Sequence, residues 1–212
     1  MTIGRLHVIT DVTLQDRFGH AELALLATAG GADVVQFREK RPWSGSLRLS
    51  TAREMRERTA GSPTRLIIND HLDVAAACGA DGVHLGRDDA DPEAARARLG
   101  RGIIVGATAN RLDEAVGLGA RPVDYLGVGP VYRTRSKANL APRLGIEGLR
   151  RIVAACGRPV IAIGGIDEER IAEVLETGAH GVAVLQTFVV AADPAAAVAR
   201  LREALDCLGA DA

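Results

Sequence analysis

The chain alternates short strand-like runs with longer helix-like segments over almost its whole length. The strand-like runs are rich in Val, Ile and Leu, and the segments between them carry apolar residues at helical spacing. Strict alternation of this kind predicts parallel strands joined by crossover helices. We predict eight strands, at residues 6–10, 33–37, 65–69, 82–85, 103–107, 123–129, 159–165 and 181–185.

Eight such units favour a closed barrel over an open sheet. The length of 212 residues suits one domain near the short end of the range for such barrels. Only 3% of the residues are aromatic, so the interior must be filled by the branched aliphatic side chains that barrels favour. We therefore predict the α/β class, with a single (β/α)8 TIM barrel domain over residues 1–212. The runs GGAD, CGAD and TGAH, each just before a strand, are interpreted as turn signals.

Charge and cysteine content restrict the partners and the compartment. The formal net charge of −1 gives no electrostatic reason to bind nucleic acid or an anionic membrane. The first residues have too short an apolar run for a signal peptide, and no stretch approaches the roughly 20 apolar residues of a membrane span. Cys78, Cys156 and Cys207 form no CxxC motif, which indicates reduced thiols. We expect a cytoplasmic protein that binds small molecules, and the sequence carries no signal for an oligomeric state.

In barrels of this class the chemistry lies on the loops that follow the strands. The second strand runs into VQFREK, where side chains alternate across the strand. Gln36, Arg38 and Lys40 therefore share one face. If that face points inward, an amide and two cations project into the barrel mouth. The alternative is a solvated, charged strand end in which Glu39 forms a salt bridge.

Two aspartates follow neighbouring strands. The motif IINDH ends the third strand and carries Asn69 and Asp70, while GVHLGRDD contains the fourth strand and Asp89. Each aspartate could instead cap the helix that follows it. Two neighbouring carboxylates repel each other unless a cation lies between them, and hard oxygen ligands suit Mg²⁺. The pair therefore predicts a Mg²⁺ site, and Asp88 could join it.

The later strand ends add hydroxyl groups, a cation and glycines. Thr108 lies at the end of the fifth strand, where its hydroxyl could bond a ligand or cap a helix. The long polar stretch at 132–145 carries Thr134, Ser136 and Lys137, which suit phosphate oxygens; the alternative is a disordered basic loop. The seventh strand ends in a Gly-Gly pair, at a place where such barrels often bind phosphate.

These residues place cations around an acidic pair, with a separate Gly-lined phosphate site. No Ser-His-Asp or Cys-His arrangement stands out in the sequence. The set suits a diphosphate ester as one substrate and a monophosphate as the other. A diphosphate leaves readily once Mg²⁺ and Lys or Arg neutralise its developing charge, and substitution then needs positioning more than a protein base.

The motifs VQFREK, IINDH, GVHLGRDD, GVGPVYRTRSK and AIGGID, in this order and spacing, resemble the thiamine-phosphate synthase family over nearly the whole chain. That family joins a hydroxymethylpyrimidine diphosphate to a thiazole phosphate and releases diphosphate, by way of a pyrimidine carbocation. The resemblance implies Mg²⁺ as the cofactor, held by Asp70 and Asp89, and catalytic roles for Arg38, Lys40 and Lys137. It implies contacts to the pyrimidine diphosphate from Gln36, Arg38, Lys40, Asn69, Thr108 and Lys137. It implies a thiazole-phosphate site made by Thr134, Ser136 and backbone groups of Gly165, Leu185 and Gln186.

The chain departs from the family pattern at a few positions. Thr108 and Ser136 exchange one hydroxyl side chain for another, Gln186 stands where a small serine is usual, and ANLA after Lys137 lacks the usual acidic residue. Two other functions are compatible with the same barrel. One is a thiazole tautomerase, which typically lacks the metal aspartates and carries a histidine where this chain has Asn110. The other is a non-catalytic binder of thiamine precursors.

Overall fold

The computed structural model describes residues 3–87, 89–134 and 141–208, and within them eight strands alternate with helices. The strands are β1 Leu6–Thr10, β2 Val34–Phe37, β3 Arg65–Asn69, β4 Gly82–Leu85, β5 Ile104–Ala109, β6 Tyr125–Val128, β7 Val160–Ile163 and β8 Gly181–Val184. They pair in parallel in sequence order, and β8 pairs with β1, so the sheet closes into a barrel. The predicted (β/α)8 TIM barrel is confirmed.

The helices cover the outside of the barrel. They are α1 His20–Ala29, α2 Gly45–Thr59, α3 Leu72–Cys78, α4 Pro92–Leu99, α5 Leu112–Gly119, α6 Gly145–Cys156, α7 Ile171–Leu175, α8 Gln186–Val189 and α9 Pro194–Cys207. Two begin with an aspartate cap followed by proline: the side chain of Asp91 accepts the amide of Glu93, and that of Asp193 accepts the amide of Ala196. None of the described helices is long and apolar enough to cross a membrane.

Three aromatic rings from non-neighbouring strands meet inside the barrel. The ring centroids of His7 in β1 and His84 in β4 lie 5.1 Å and 5.5 Å from that of Tyr125 in β6. Gly106 in β5 makes room for the phenol ring, because a Cβ there would lie 2.2 Å from Cζ of Tyr125. The interior is therefore a packed core, and the space for a ligand lies at the barrel mouth.

An aspartate lies directly before each of the strands β2, β4 and β6, and its carboxylate connects that strand to the preceding one. Each carboxylate accepts a backbone amide of the preceding strand and pairs with an arginine from the helix layer. The aspartates are Asp33, Asp81 and Asp124, their amide donors are Leu6, Leu66 and Val105, and their arginine partners are Arg202, Arg56 and Arg96. Two of these aspartates end the GGAD and CGAD turns. The amino-terminal end of the barrel is thus built for stability, as is usual in this fold.

Candidate active site

The residues after β2 alternate between the barrel mouth and the helix layer. An Nη atom of Arg38 donates to Oδ2 of Asp11, the first residue after β1. Asp11 is buried and also accepts hydrogen bonds from the amide and hydroxyl of Thr13, at 2.8 Å and 2.5 Å. Sequence reasoning missed Asp11, although its position directly after a strand was the available signal. Arg38 is therefore held at the mouth by a carboxylate from the neighbouring strand end.

Lys40 reaches across to the loop after β3. Its Nζ atom lies 2.5 Å from Oδ2 of Asp70. The intervening Glu39 points the other way and pairs with Arg41 in the loop between β2 and α2. The alternative of a solvated strand end is wrong, because the Glu39 side chain is buried, although the salt bridge that it included is present. The opposite face carries the two cations at the mouth.

Asp70 adopts a backbone conformation that L residues rarely use. Its φ is 67°, and among the described residues it is the only non-glycine with positive φ. The amide of Asp70 donates to the carbonyl of His84 in β4 at 2.9 Å, which fixes this turn on the neighbouring strand. The residue at the cap position of α3 is His71, whose side chain makes no capping hydrogen bond. Asp70 is therefore not used as a helix cap.

Asp89 lies in the loop after β4 and is also not the cap of the next helix. Asp91 fills that position in α4. The Oδ2 atom of Asp89 instead accepts the amide of Gly86 at 2.6 Å, and its carboxyl group lies close enough to that of Asp70 for each to shift the pKa of the other. The structure thus brings the two predicted metal ligands together at adjacent strand ends.

The pKa values of the two carboxyl groups are shifted in opposite directions. Burial raises the pKa of Asp89 to about 6, and the hydrogen bond and the charge of Asp70 add to the rise. Burial also acts to raise the pKa of Asp70, but the hydrogen bond with Asp89 and the Lys40 ammonium group hold it below its ordinary value. Two carboxylates this close favour a shared proton or a cation between them.

The pair fits Mg²⁺ by its donors and by the space beside it. A Cβ at Gly86 would lie 2.6 Å from Oδ2 of Asp89 and 3.8 Å from Oδ1 of Asp70, so this glycine leaves room against both carboxylates. The described ranges contain no cluster of three or more His, Cys, Asp or Glu residues suited to a metal. A site with two carboxylates agrees with Mg²⁺, which uses one or two of them together with substrate phosphates.

Three predicted pyrimidine-site residues lie at strand ends around the mouth. Gln36 is buried in β2, Asn69 ends β3 beside His84, and Thr108 lies near the end of β5. The Thr108 hydroxyl is 2.9 Å from Nε2 of His84, and Nδ1 of His84 is 2.9 Å from the hydroxyl of Tyr125. Thr108 therefore lies within a strand rather than at a helix cap, and His84 is a packed interior histidine.

Asn110 ties three loops together. Its side-chain nitrogen donates to the carbonyl of Gly129 after β6, and its side-chain oxygen accepts a hydrogen bond from Arg87 after β4 at 3.1 Å. Its backbone amide donates to Glu114 at 2.8 Å. At the position that carries a histidine in tautomerases, this chain thus has an asparagine whose side-chain amide holds neighbouring loops together.

The Gly-Gly pair after β7 allows close packing against the loop after β6. A Cβ at Gly164 would lie 2.7 Å from Cα of Pro130, and one at Gly165 would lie 2.6 Å from the carbonyl oxygen of Arg133. Both glycines have positive φ, 103° and 68°. The glycines of AIGGID therefore serve in part to allow close packing. This packing places Gly165 beside the segment that leads to Thr134.

The remaining predicted phosphate ligands lie on the same side of the mouth or outside the described ranges. Leu185 is buried immediately before α8, and Gln186 begins that helix with an exposed side chain. The first amides of a helix have no partner within it, so they are free to meet an anion. Thr134 is partly buried at the end of the described segment. Asp88, Ser136 and Lys137 lie outside the described residues.

Fold and site together define a (β/α)8-barrel enzyme with a candidate active site at the carboxyl ends of its strands. A family model described as thiamine monophosphate synthase matches residues 6–188, and the chain belongs to this family. Membership makes it a transferase of thiamine biosynthesis.

Individual relatives agree with the family assignment. Thiamine-phosphate synthase of Salinibacter ruber is 49% identical over 97% of this chain and 90% of its own length. The protein of the same name from Methanoregula boonei is 42% identical over 93% of this chain and 91% of its own length. The structure of thiamine phosphate pyrophosphorylase from Pyrococcus furiosus superposes with a TM-score of 0.87 at 35% identity, covering 96% of both chains.

Proposed function

We propose that the chain joins a hydroxymethylpyrimidine diphosphate to a thiazole phosphate, giving thiamine phosphate and diphosphate in a Mg²⁺-dependent reaction. One observation carries the proposal beyond family membership. Two neighbouring carboxylates and a lysine, from the loops after three consecutive strands, meet at the barrel mouth. This is a suitable set of groups to bind a magnesium-bound diphosphate and to stabilise it as it leaves.

The chain's own cations would hold the leaving group. Arg38 and Lys40 would bind diphosphate oxygens from one side, with Lys137 as a further catalytic cation. Asp70 and Asp89 would hold Mg²⁺, which supplies neutralisation of diphosphate charge when bound. Lys40 is already oriented toward this position, since its ammonium group contacts Asp70.

The pyrimidine ring would lie over the packed interior. Gln36, Asn69 and Thr108 surround the mouth and offer amide and hydroxyl groups that would orient the ring. Loss of diphosphate would leave a carbocation on the exocyclic carbon, and the thiazole nitrogen would then attack it. This bond formation needs no proton transfer, so the side chains contribute orientation and exclusion of water.

The thiazole phosphate would bind on the side of β7 and β8. We assign it to the hydroxyls of Thr134 and Ser136 and to backbone groups of Gly165, Leu185 and Gln186. The first turn of α8 would offer amide donors here, and the Gln186 residue that begins this helix is exposed.

We also propose the cytoplasm as the compartment and small molecules as the partners. The three cysteines Cys78, Cys156 and Cys207 are all free thiols, and two of them are buried. Free thiols are typical of proteins that function in a reducing compartment.

The deciding experiment is incubation with both substrates, with and without Mg²⁺, followed by detection of diphosphate and thiamine phosphate. We expect both products in equal amounts, and only with the cation. Isomerisation of the thiazole without diphosphate release would favour the tautomerase. Tight binding of the pyrimidine diphosphate without turnover would favour the non-catalytic binder.

A further inference from the structure

A buried charged cluster lies directly behind the residues that face the mouth. The Glu39 side chain is 1% exposed, although it stands between Arg38 and Lys40, which point into the site. A carboxylate buried to this degree is costly unless it is paired and hydrogen-bonded. Its partners therefore determine how the chain runs at this position.

Glu39 holds the residue that follows Lys40 through both its backbone and its side chain. Its Oε1 accepts the backbone amide of Arg41 at 2.7 Å, and its two oxygens accept the Arg41 guanidinium at 3.0 Å and 2.5 Å. That guanidinium group in turn lies 4.6 Å from the ring centroid of Trp43. The backbone on the far side of Lys40 is thus fixed by the side chain on its near side.

His20 connects the same carboxylate to the neighbouring strand. Its Nε2 lies 3.2 Å from Oε2 of Glu39, and its Nδ1 lies 2.7 Å from the hydroxyl of Thr10 at the end of β1. Its ring packs edge-on against Phe37, with centroids 4.7 Å apart. Glu39 is therefore anchored to β1 and α1 as well as to its own turn.

Burial and hydrogen bonding act in opposite directions on the pKa values in this cluster. Burial lowers the pKa of His20 despite the nearby Glu39. Burial would raise the pKa of Glu39, but hydrogen bonds from Arg41 and His20 hold it below its ordinary value. A neutral His20 that donates from Nε2 to an ionised Glu39 satisfies the buried carboxylate.

We propose that Glu39 is a positioning residue that acts through Lys40. By fixing the backbone before and after Lys40, the cluster of Glu39, His20 and Arg41 aims the ammonium group at Asp70, where the diphosphate would bind. The inference rests on the proposed function, because it concerns how that site is held in place. It assigns a role in binding to residues whose side chains lie behind the face that points into the mouth.

The test is a double-mutant cycle read by binding of inorganic diphosphate with Mg²⁺, measured by calorimetry. Glu39→Gln keeps the size of the side chain and removes its charge. We expect it to weaken diphosphate binding by about tenfold in the wild-type background, and by less than about twofold in the Lys40→Ala background. Equal losses in both backgrounds, or no loss in either, would overturn the proposal.

The controls separate this role from a loss of stability. Asp124→Asn removes a more exposed carboxylate that also accepts one arginine and one amide, at the opposite end of the barrel. It should leave diphosphate binding unchanged. If Glu39→Gln does not fold, Arg41→Gln replaces it in the same cycle with the same criterion, because the Arg41 side chain is partly exposed.

Kinetics distinguish failure of this inference from failure of the proposed function. With both substrates, Glu39→Gln should raise KM for the pyrimidine diphosphate and leave KM for the thiazole phosphate unchanged. Wild-type protein without turnover would contradict the proposed function. Normal wild-type turnover with an unaltered Glu39→Gln variant would contradict only the role of Glu39.

Discussion

The ammonium group of Lys40 lies 2.5 Å from the carboxylate of Asp70, so one predicted diphosphate ligand contacts one predicted magnesium ligand. A cation bound between Asp70 and Asp89 would compete with Lys40 for the same oxygen. Lys40 would then be available for the diphosphate that arrives with the cation. This relationship links the metal and the leaving group through one side chain.

Replacement of Lys40 by Ala tests that link. We expect the rate of diphosphate release to fall by about 100-fold, because a cation aimed at the leaving group is lost. The affinity for Mg²⁺ alone should stay equal or increase, since the competitor for Asp70 is gone. Calorimetric Mg²⁺ titration together with steady-state kinetics measures both effects. Arg58→Ala, in an exposed pair on α2, serves as the control. A large loss of Mg²⁺ affinity would argue against the competition.

Replacement of Asp11 by Asn tests the anchoring of Arg38. Arg38 would lose its charged partner while the size of the buried side chain is kept. We expect kcat/KM for the pyrimidine diphosphate to fall by about tenfold and the free energy of unfolding to fall by about 1–3 kcal/mol. Kinetics and urea unfolding measure these changes. Thr13→Val removes only the hydroxyl bonded to Asp11 and should have the smaller effect on both. Equal effects of the two substitutions would show that the charge on Asp11 is unimportant.

Because Asp70 has a left-handed backbone conformation, two different substitutions can distinguish the role of its charge from the role of its backbone. Asn tolerates this conformation, so Asp70→Asn should keep the free energy of unfolding while removing Mg²⁺-dependent turnover. A β-branched residue does not tolerate it, and Asp70→Val should cost a further ~1–2 kcal/mol in stability. Urea unfolding of the two variants measures the difference. Equal stabilities would contradict the positive φ.

The buried His7 predicts a dependence of stability on pH. Burial lowers the pKa of His7 to about 4, so the unfolded chain takes up a proton near pH 6.5 and the folded chain does not. Stability from this group is complete above pH 6.5 and falls as the pH drops toward 4. Between pH 7 and pH 5 the loss should be about 2 kcal/mol, measured by urea unfolding. In His7→Gln, the free energy of unfolding lost between pH 7 and pH 5 should be smaller by about 2 kcal/mol. The pH-dependent contribution of His20 to stability should remain. An unchanged pH dependence would show that His7 is not the cause.

Much of the fold and part of the site could be predicted from the sequence, because both follow from local patterns. Apolar runs marked all eight strands, and the period of two in VQFREK placed Arg38 and Lys40 on one face. The adjacency of Asp70 and Asp89 followed from the order of parallel strands. These features depend on spacing along the chain alone.

Other features depend on contacts between distant segments and left weaker signals. The sequence allowed Asp70 and Asp89 to be helix caps, and it did not show that Asp91 fills the cap position of α4 or that Asp70 has positive φ. The role of Gly164 and Gly165 in packing against residues 130–133 requires the tertiary structure. Asp11 could have been found by applying to β1 the rule that was applied to the later strands.

The most direct test of the central claim is the Mg²⁺ dependence of diphosphate release in Asp89→Asn, compared with wild type and Asp91→Asn. Both substitutions remove one carboxylate from the same loop, and Asn keeps the cap of α4 at position 91. We predict that Asp89→Asn loses Mg²⁺-dependent turnover while Asp91→Asn retains it, with both proteins folded. Full Mg²⁺-dependent activity in folded Asp89→Asn would contradict the assignment of the acidic pair as the metal site.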